Sequence, residues 1–237
     1  MGSESAIDRL RASGQVRRLP IPGASAGDVM EVVGPVQLPI EVDGAERIAR
    51  WFVGRWLRSD GTAGERTEEV SVLQFGEASR EDGVRLVRIH SACLTGDTLG
   101  SMRCDCGPQL RSAIRQIADA SEGGLLIYMT THEGRGIGLW SKAAAYLLQA
   151  DGLDTYAANR ALAFPDDQRD FRLAAAVLED LLPNRRFELL TNNPLKLNSL
   201  ERFGVTGATR RALVEGSSPH NACYLRAKRE HGHLLPT

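Results

Sequence analysis

The chain has 237 residues, 42% hydrophobic and 25% charged, with a formal net charge of −1, a composition that is typical of a globular protein with its own core. The near-zero charge argues against a nucleic-acid-binding protein, which favours a strongly basic balance. There is no apolar run of the roughly 18 residues that a membrane span needs, and the N-terminus lacks the apolar stretch of a secretory signal, so we expect a cytoplasmic protein that contacts no membrane.

The first third of the chain reads as an arm followed by strands. Residues 1–25 are polar and contain Gly and Ser, which predicts a flexible N-terminal arm. Residues 30–57 have β-branched and aromatic runs broken by Gly and Pro, which predicts short strands of an antiparallel meander. Further along, VSVLQF (70–75) and VRLVRIHS (84–91) alternate like two paired strands around the turn at 77–83.

In the second half of the chain the hydrophobic period becomes helical. It predicts helices over roughly 108–120 and 170–182, and a third helix in LWSKAAAYLLQA after the apolar strand GLLIYMT. FELLT is predicted as another strand, and Asn193 and Pro194 predict the start of a further helix. Strands alternating with helices predict an α+β fold, with mixed sheets and flanking helices, in one domain over residues 26–237.

Three of the four cysteines lie close together in the sequence. Cys93, Cys104 and Cys106 form a C-x10-C-x-C pattern around a Gly-rich turn, and Cys223 lies far along the chain. Such a cluster predicts a metal site, because zinc prefers sulfur and nitrogen ligands and a catalytic zinc keeps a position for water. The alternative is that these cysteines are small buried hydrophobic residues.

Three further segments carry polar residues that secondary structure alone does not require. EGRGIG (133–138) lies between a strand and a helix, where glycine lets backbone N–H groups approach a phosphate, although a plain turn explains it about equally well. PDDQRD (165–170) pairs acids with an arginine, and a solvated first turn of a helix is its simpler interpretation. In LLTNNPLKLNSL (189–200), helix capping accounts for Asn193 and Pro194 but not for Thr191 and Lys196. Thr191 and Lys196 are therefore candidates for contact with a phosphate or a base.

These segments, in this order, resemble GTP cyclohydrolase II, a zinc-dependent family that acts at the start of riboflavin synthesis. The matching stretches are RIHSACLTGDTLGSMRCDCGPQL, HEGRGIGL, DTYAANRALAFPDDQRDF, LLTNNPLK and NACYLRAKREHGH. The resemblance implies one zinc ion bound by Cys93, Cys104 and Cys106, magnesium bridging the triphosphate, and a homodimer. The implied reaction opens the imidazole ring of GTP and releases formate and pyrophosphate. The product would be 2,5-diamino-6-ribosylamino-4(3H)-pyrimidinone 5′-phosphate.

The resemblance also implies which residues form the GTP site. The substrate-binding positions that match the family are Arg88, His90, Ser91, Gln109, Glu133, Gly134, Arg135, Thr155, Thr191 and Lys196. Glu133 is expected to select guanine by accepting hydrogen bonds from its N1–H and amino groups. The implied catalytic residues are Asp167 as proton acceptor, Arg169 as nucleophile towards the α-phosphate, and Tyr146 as a proton shuttle. Because arginine is protonated at ordinary pH, phosphate stabilisation is the easier role for Arg169.

The chain also departs from the family pattern. Ala92 stands where the family usually has Glu, and YMTTH precedes EGRGIG where many members have a basic residue and a shorter link. An alternative is therefore a paralogue that retains the formyl group or uses a modified purine nucleotide. An alternative of another class is a structural zinc-binding module, in which Cys223, His90 or His132 supplies a fourth ligand. The basic, aromatic face that such a module needs for nucleic acid is not evident, since 5% of the residues are aromatic.

Overall fold

The computed structural model describes residues 5–59, 68–76, 83–182 and 186–236. Most of the turn-rich segment after residue 57 and most of the predicted turn at 77–83 lie outside these ranges. Within them, no helix is both long and apolar enough to cross a membrane.

The described residues form one mixed sheet of eight strands. Its spatial order is β1-β2-β3-β4-β6-β5-β7-β8. The strands are β1 (Val16–Pro20), β2 (Val29–Val42), β3 (Ala45–Leu57), β4 (Glu69–Phe75), β5 (Arg85–Ser91), β6 (Gly124–Met129), β7 (Phe187–Leu190) and β8 (Ala208–Arg211). Neighbours from β1 to β6 pair antiparallel, whereas β6, β5, β7 and β8 are parallel. The predicted α+β fold with mixed pairing is confirmed.

The predicted pairing of residues 70–75 with residues 84–91 is wrong. Each segment is a strand, but β6 lies between β4 and β5 and pairs with both. Arg88 and His90 of β5 are buried like their apolar neighbours. A strand buried on both faces is typical of a parallel sheet, which needs a crossover rather than a hairpin.

The antiparallel meander is confirmed, but its strands are long rather than short. β2 has 14 residues and β3 has 13. Their register shifts between Val33 and Val36, around Gly34 and Pro35. Glycine and proline there form a bulge inside the strand instead of ending it, which is a usual place for both residues.

Helices pack on both faces of the sheet. The helices of the described residues are α1 (Ala6–Ala12), α2 (Leu94–Asp97), α3 (Cys106–Asp119), α4 (Leu139–Ala150), α5 (Thr155–Ala161), α6 (Arg172–Leu181), α7 (Pro194–Arg202) and α8 (Ala222–Glu230). Residues of α6 pack against one face, in a core that includes Val87, Ile89 and Ile127. Residues of α3 pack against the other face, beside Leu86 and Leu126. The four helices predicted in the second half of the chain are confirmed as α3, α4, α6 and α7.

The described part of the predicted N-terminal arm contains regular structure. Residues 5–25 include α1 and β1, and β1 pairs with β2 along five residues. The side chain of Arg17 on β1 forms two hydrogen bonds of 2.7 and 2.9 Å with Asp180 on α6. β1 is therefore a strand of the sheet, held by its pairing with β2 and by the ion pair with α6. The division into an arm and a domain from residue 26 stays a prediction.

Candidate active site

A cleft lies where the parallel strands β5, β6 and β7 end. The carboxyl ends of parallel strands share one edge of a sheet, which is where α/β proteins bind ligands. The cleft contains about 1070 Å³ of space and opens to solvent. The basic residues that line it are Arg88, Arg103, Arg135, Lys142, Arg169, Lys196 and Lys228. So many cations around one opening favour an anionic ligand.

Three cysteine sulfurs lie together at one end of this cleft. The Sγ atoms of Cys93, Cys104 and Cys106 all lie within 4.8 Å of one another, and those of Cys93 and Cys104 are 3.6 Å apart. A tetrahedral zinc ion with bonds of about 2.3 Å places its sulfur ligands roughly 3.8 Å apart, so the spacing and the donor type fit zinc. We call these cysteines, together with Lys142, the sulfur end of the cleft.

Two glycines allow the sulfurs to come together. A Cβ atom on Gly96 of α2 would lie 2.8 Å from the Cys104 Sγ and 3.3 Å from the Cys93 Sγ. A Cβ atom on Gly107 of α3 would lie 2.1 Å from the carbonyl oxygen of Gly96. The short helix α2 therefore packs directly on the start of α3, which brings Cys93, just before α2, next to Cys106, the first residue of α3.

The sulfur of Cys93 lies next to a positive charge, the ammonium of Lys142. Hydrogen bonds from the Cys104 and Cys106 thiols, helped by the Lys142 ammonium, hold the pKa of Cys93 well below its ordinary value. Hydrogen bonds to its two cysteine neighbours, together with burial, raise the pKa of Cys106. A metal ion binds thiolates, so its binding displaces the remaining thiol protons.

Lys142 is a buried side chain of α4 that reaches the sulfur cluster. Its Nζ donates hydrogen bonds to Cys93 Sγ at 3.1 Å, Thr95 Oγ1 at 3.0 Å and Glu133 Oε1 at 2.6 Å. The other carboxylate oxygen of Glu133 accepts a 2.7 Å hydrogen bond from the backbone N–H of Leu94. Burial disfavours the ammonium, but the Cys93 thiolate and the Glu133 carboxylate outweigh burial and raise the pKa of Lys142.

Asp97, at the end of α2, positions the backbone beside the sulfurs. Its carboxylate accepts hydrogen bonds from the Cys93 backbone N–H at 3.0 Å and from the Tyr128 hydroxyl at 2.9 Å. The Nε2 atom of His90 lies 3.0 Å from the same carboxylate. His90 is therefore engaged with Asp97 rather than with the sulfurs, and burial lowers its pKa.

The other end of the cleft is built around Arg169. Its guanidinium forms a two-point ion pair with Asp167, with distances of 2.8 Å from Nε to Oδ1 and 2.5 Å from Nη2 to Oδ2. Partial burial opposes ionisation, but the hydrogen bonds from Arg169 outweigh it and lower the pKa of Asp167. PDDQRD thus forms more than a solvated helix turn. We call Arg169, Asp167, Ser91 and His132 the arginine end of the cleft.

The hydrogen-bond directions at the arginine end follow from His132. Its Nε2 lies 2.9 Å from the carbonyl oxygen of Asp170, which can only accept, so Nε2 carries the proton. The unprotonated Nδ1, 3.2 Å from Ser91 Oγ, then accepts the Ser91 hydroxyl proton. A lone pair of Ser91 Oγ accepts in turn from Arg169 Nη1 at 3.3 Å. Burial and the nearby Arg169 cation lower the pKa of His132 to about 3, so the ring stays neutral.

Arg88 and Gln109 lie in the buried floor of the cleft. Arg88 donates to the Leu190 carbonyl oxygen at 2.7 Å and to Gln109 Oε1 at 2.9 Å. Gln109 donates to Asp105 at 2.7 Å, and Asp105 also accepts from Lys228 at 2.6 Å. Burial lowers the pKa of Arg88 to about 10, which leaves it charged at neutral pH.

Lys196 and Thr191 face the cleft from the end of β7 and the start of α7. Lys196 Nζ donates to the Ile89 carbonyl oxygen at 2.6 Å, and burial holds its pKa well below the ordinary value. The hydroxyl oxygen of Thr191 accepts a 3.1 Å hydrogen bond from the Asn193 backbone N–H. Both residues lie in the cleft wall, as part of one buried turn.

The remaining predicted site residues also line the cleft. Glu133, Gly134 and Arg135 belong to a 3₁₀ turn over Thr130–Arg135. Arg135 donates to Thr155 Oγ1 at 3.0 Å. The hydroxyl of Tyr146 lies 3.3 Å from Thr95 Oγ1, and burial raises its pKa. These residues line the same cleft as the sulfurs.

The sequence of the chain is similar to proteins of known family. Residues 60–211 match the family model described as GTP cyclohydrolase II. The chain is 48% identical to the GTP cyclohydrolase-2 of Streptomyces coelicolor over 173 residues, which cover 73% of this chain and 76% of the relative. The chain belongs to the GTP cyclohydrolase II family. It is also 48% identical to the GTP cyclohydrolase-2 of Helicobacter pylori over 151 residues, 63% of this chain and 76% of that one.

Longer relatives match over part of their length. The riboflavin biosynthesis protein RibBA of Salinispora arenicola is 52% identical over 151 residues, which cover 63% of this chain and 36% of that protein. The match thus covers about a third of that longer protein. An enzyme of this family is consistent with the cleft, its sulfur end and its cations.

In this member of the GTP cyclohydrolase II family, almost all of the predicted site residues lie around one cleft. Asp167 is the exception: it is not among the cleft-lining residues but is ion-paired with Arg169, which is. Cys223 is exposed on α8, and among the described residues the group that could hold a metal ion consists of Cys93, Cys104 and Cys106. His132 belongs to the arginine end, so neither it nor Cys223 joins the sulfurs.

Sequence reasoning missed Lys142, Asp97 and the C-terminal segment. A single lysine within the apolar run of α4 was the available signal for Lys142, since a charged residue on a buried helix face needs a partner. The segment NACYLRAKREHGH was matched to the family, but no site residue was assigned to it. Its Tyr224, Lys228 and His233 line the cleft, and burial lowers the pKa of His233 to about 4.

Proposed function

We propose that the chain is a zinc-dependent GTP cyclohydrolase II, which opens the imidazole ring of GTP and releases formate and pyrophosphate. The product would be the 2,5-diamino-6-ribosylamino-4(3H)-pyrimidinone 5′-phosphate of riboflavin synthesis. The observation that carries the proposal is the group of three cysteine sulfurs within 4.8 Å of one another at the end of a basic cleft. The names of the relatives, GTP cyclohydrolase-2 and RibBA, support the substrate and the pathway.

The sulfur end would hold the zinc ion. Cys93, Cys104 and Cys106 are the proposed ligands, and the spacing of their sulfurs supports this assignment. When bound, zinc supplies Lewis-acid chemistry, namely activation of water as a nucleophile near neutral pH. Tyr146, next to Thr95 at the same end, is the proposed proton shuttle for the ring-opening steps.

The cations of the cleft would bind the triphosphate. Arg88, Arg135 and Lys196 provide charge and hydrogen-bond donors from three different elements, and magnesium would share the remaining negative charge. Gln109, Thr155 and Thr191 are proposed to add neutral polar contacts with GTP. His90 and Ser91 complete the strand end that faces the ligand.

Arg169 is proposed to act on the α-phosphate, with Asp167 as proton acceptor. The two-point ion pair supports a role in which Arg169 stays charged and stabilises the phosphate as pyrophosphate leaves. A nucleophilic guanidine nitrogen would first have to lose a proton, and Asp167 Oδ1 lies 2.8 Å from Arg169 Nε, within reach of that proton. Phosphate stabilisation needs no such transfer, so we favour it.

Glu133 is the proposed selector of guanine. Each of its carboxylate oxygens already accepts one hydrogen bond, from Lys142 or from the Leu94 backbone. An ionised carboxylate has further lone pairs, so both oxygens can also accept from the N1–H and amino groups of guanine. Adenine lacks this pair of donors.

The direct test is to incubate the zinc-loaded protein with GTP and magnesium and to determine the product by mass. Loss of the guanine absorbance, with release of formate and pyrophosphate, is the expected result. A ring-opened product that keeps the formyl carbon would support the formyl-retaining alternative, and unchanged GTP would reject the proposal. Light scattering on the same sample tests the homodimer that we expect from the family.

A further inference from the structure

Lys142 uses all three of its N–H donors on groups beside the cysteine sulfurs. It is one of the few buried charged side chains, and it lies on α4, 36 residues after Cys106 in the chain. Its three hydrogen bonds go to a cysteine sulfur, a threonine hydroxyl and a carboxylate oxygen, which are all groups at the sulfur end. A buried lysine has a high desolvation cost, which only such a complete set of partners offsets.

The charge balance at the sulfur end explains what this ammonium does. Three thiolates around a divalent cation leave one net negative charge, which would oppose the approach of an anionic substrate. The Lys142 ammonium, 3.1 Å from Cys93 Sγ, places a positive charge directly beside that sulfur, and the Glu133 carboxylate 2.6 Å away is its second counter-ion. Its hydrogen bond also fixes the direction of one sulfur lone pair, which leaves the other lone pairs of Cys93 for the metal.

We propose that Lys142 is a positioning residue of the metal centre, which neutralises and orients the Cys93 thiolate by a direct N–H···S hydrogen bond. The role depends on metal binding by the three cysteines and not on which nucleotide the enzyme uses. Glu133 and Thr95 hold the ammonium in place, because each accepts a hydrogen bond from one of its remaining N–H groups. The EGRGIG turn and the sulfur cluster are thereby joined through a single side chain.

Measurements of metal binding without nucleotide test this proposal. We expect the Lys142→Met variant to bind zinc about 10- to 100-fold more weakly than the wild type, in competition with a chromophoric chelator. Lys142→Arg should recover part of the affinity, since a guanidinium can also donate to sulfur. Leu147→Met places the same side chain at an exposed position of α4 and should leave zinc affinity unchanged. Equal affinities for wild type and Lys142→Met would overturn the proposal.

A spectroscopic signature separates this role from a merely structural one. In the cobalt-substituted protein, the sulfur-to-cobalt charge-transfer band reports the electron density on sulfur. Loss of the hydrogen bond raises the energy of the sulfur lone pairs, so the band of Lys142→Met should move to longer wavelength. An unmoved band in a folded, cobalt-loaded variant would contradict the direct N–H···S bond.

A second pair of variants covers the case in which Lys142→Met does not fold because Glu133 is left buried without its cation. The double variant Lys142→Met with Glu133→Gln removes both charges, and its cobalt band should show the same shift. Glu133→Gln alone keeps the ammonium and should keep the band near that of the wild type. If Glu133→Gln alone gave the full shift, the carboxylate would set the sulfur environment and the proposal would fail. All of these results are independent of whether GTP is the substrate.

Discussion

At the sulfur end of the cleft, the three thiol groups come from one stretch of 14 residues, whereas the arginine end joins Ser91, His132 and Arg169 from three separate parts of the chain. At the sulfur end, three sulfur donors crowd together, with the Lys142 ammonium beside Cys93. At the arginine end, opposite charges already form an ion pair. The comparison teaches that one end gathers donor atoms of a kind that suits a metal cation, whereas the other holds a guanidinium in a fixed position.

The largest effect is expected from loss of a sulfur ligand. Cys104→Ser replaces a soft thiolate by a hydroxyl that binds zinc poorly, so zinc content should fall well below one per chain. Ring opening of GTP should decrease about a thousandfold or more, because a catalytic metal supplies several kcal/mol of activation. Metal analysis and a formate assay check both outcomes.

The exposed Cys223 offers the matched control for this change. Cys223→Ser should leave zinc content and turnover as in the wild type, since Cys223 is exposed and lies outside the cluster. A Cys104→Ser protein that kept full zinc content and activity would show that the sulfur end is not the metal centre.

The next effect tests the arginine end. Arg169→Lys keeps the charge but loses the two-point geometry with Asp167, so we expect kcat to fall about tenfold to a hundredfold, the cost of one or two charge-assisted hydrogen bonds. Zinc content should not change. Separate assays of pyrophosphate and formate release locate the affected step. If Arg169→Lys lost as much zinc as Cys104→Ser, the two ends would not be independent.

A smaller effect is expected from crowding the sulfurs. Gly96→Ala introduces a Cβ atom whose position would lie 2.8 Å from the Cys104 Sγ, so a sulfur must shift. Overpacking of this kind costs about 1–3 kcal/mol, which corresponds to roughly a tenfold to hundredfold loss of zinc affinity. Chelator competition measures it. Gly152→Ala is the control for zinc affinity, since its Cβ would meet no atom within 4 Å. Because Gly152 has a positive φ, this control should lose a small amount of stability. Unchanged zinc affinity in Gly96→Ala would mean that the sulfurs are free to separate.

The smallest effect at neutral pH concerns His132. Its pKa is lowered from 6.5 to about 3 in the folded protein, so below pH 6.5 the unfolded chain binds a proton that the folded chain does not. This contribution to stability is present above pH 6.5 and is lost as the pH falls towards 3. Between pH 7 and pH 5 the wild type should therefore lose about 2 kcal/mol more unfolding free energy than His132→Asn. Urea unfolding at both pH values measures the difference, and parallel losses would contradict a neutral, buried His132.

Local features of the fold were predictable because they depend on near neighbours in the chain. The helical spacing of Leu110, Ile114 and Ile117 predicted α3, and Asn193 with Pro194 predicted the start of α7, where the Asn193 side chain accepts from the Leu195 backbone N–H. The strands β4 and β5 were also found. Their neighbours in the sheet were not, because pairing depends on which distant strand fills the space between them.

The sequence by itself indicated which residues could hold a metal ion, since three cysteines within 14 residues can meet with only a short turn between them. Only the tertiary structure decided that Lys142 reaches Cys93, that His132 orients Ser91, and that residues after Asn221 form part of the cleft wall. The physical reason is that a buried charge or an imidazole takes its role from the groups that packing places around it. Those groups come from strands and helices whose order no local pattern encodes.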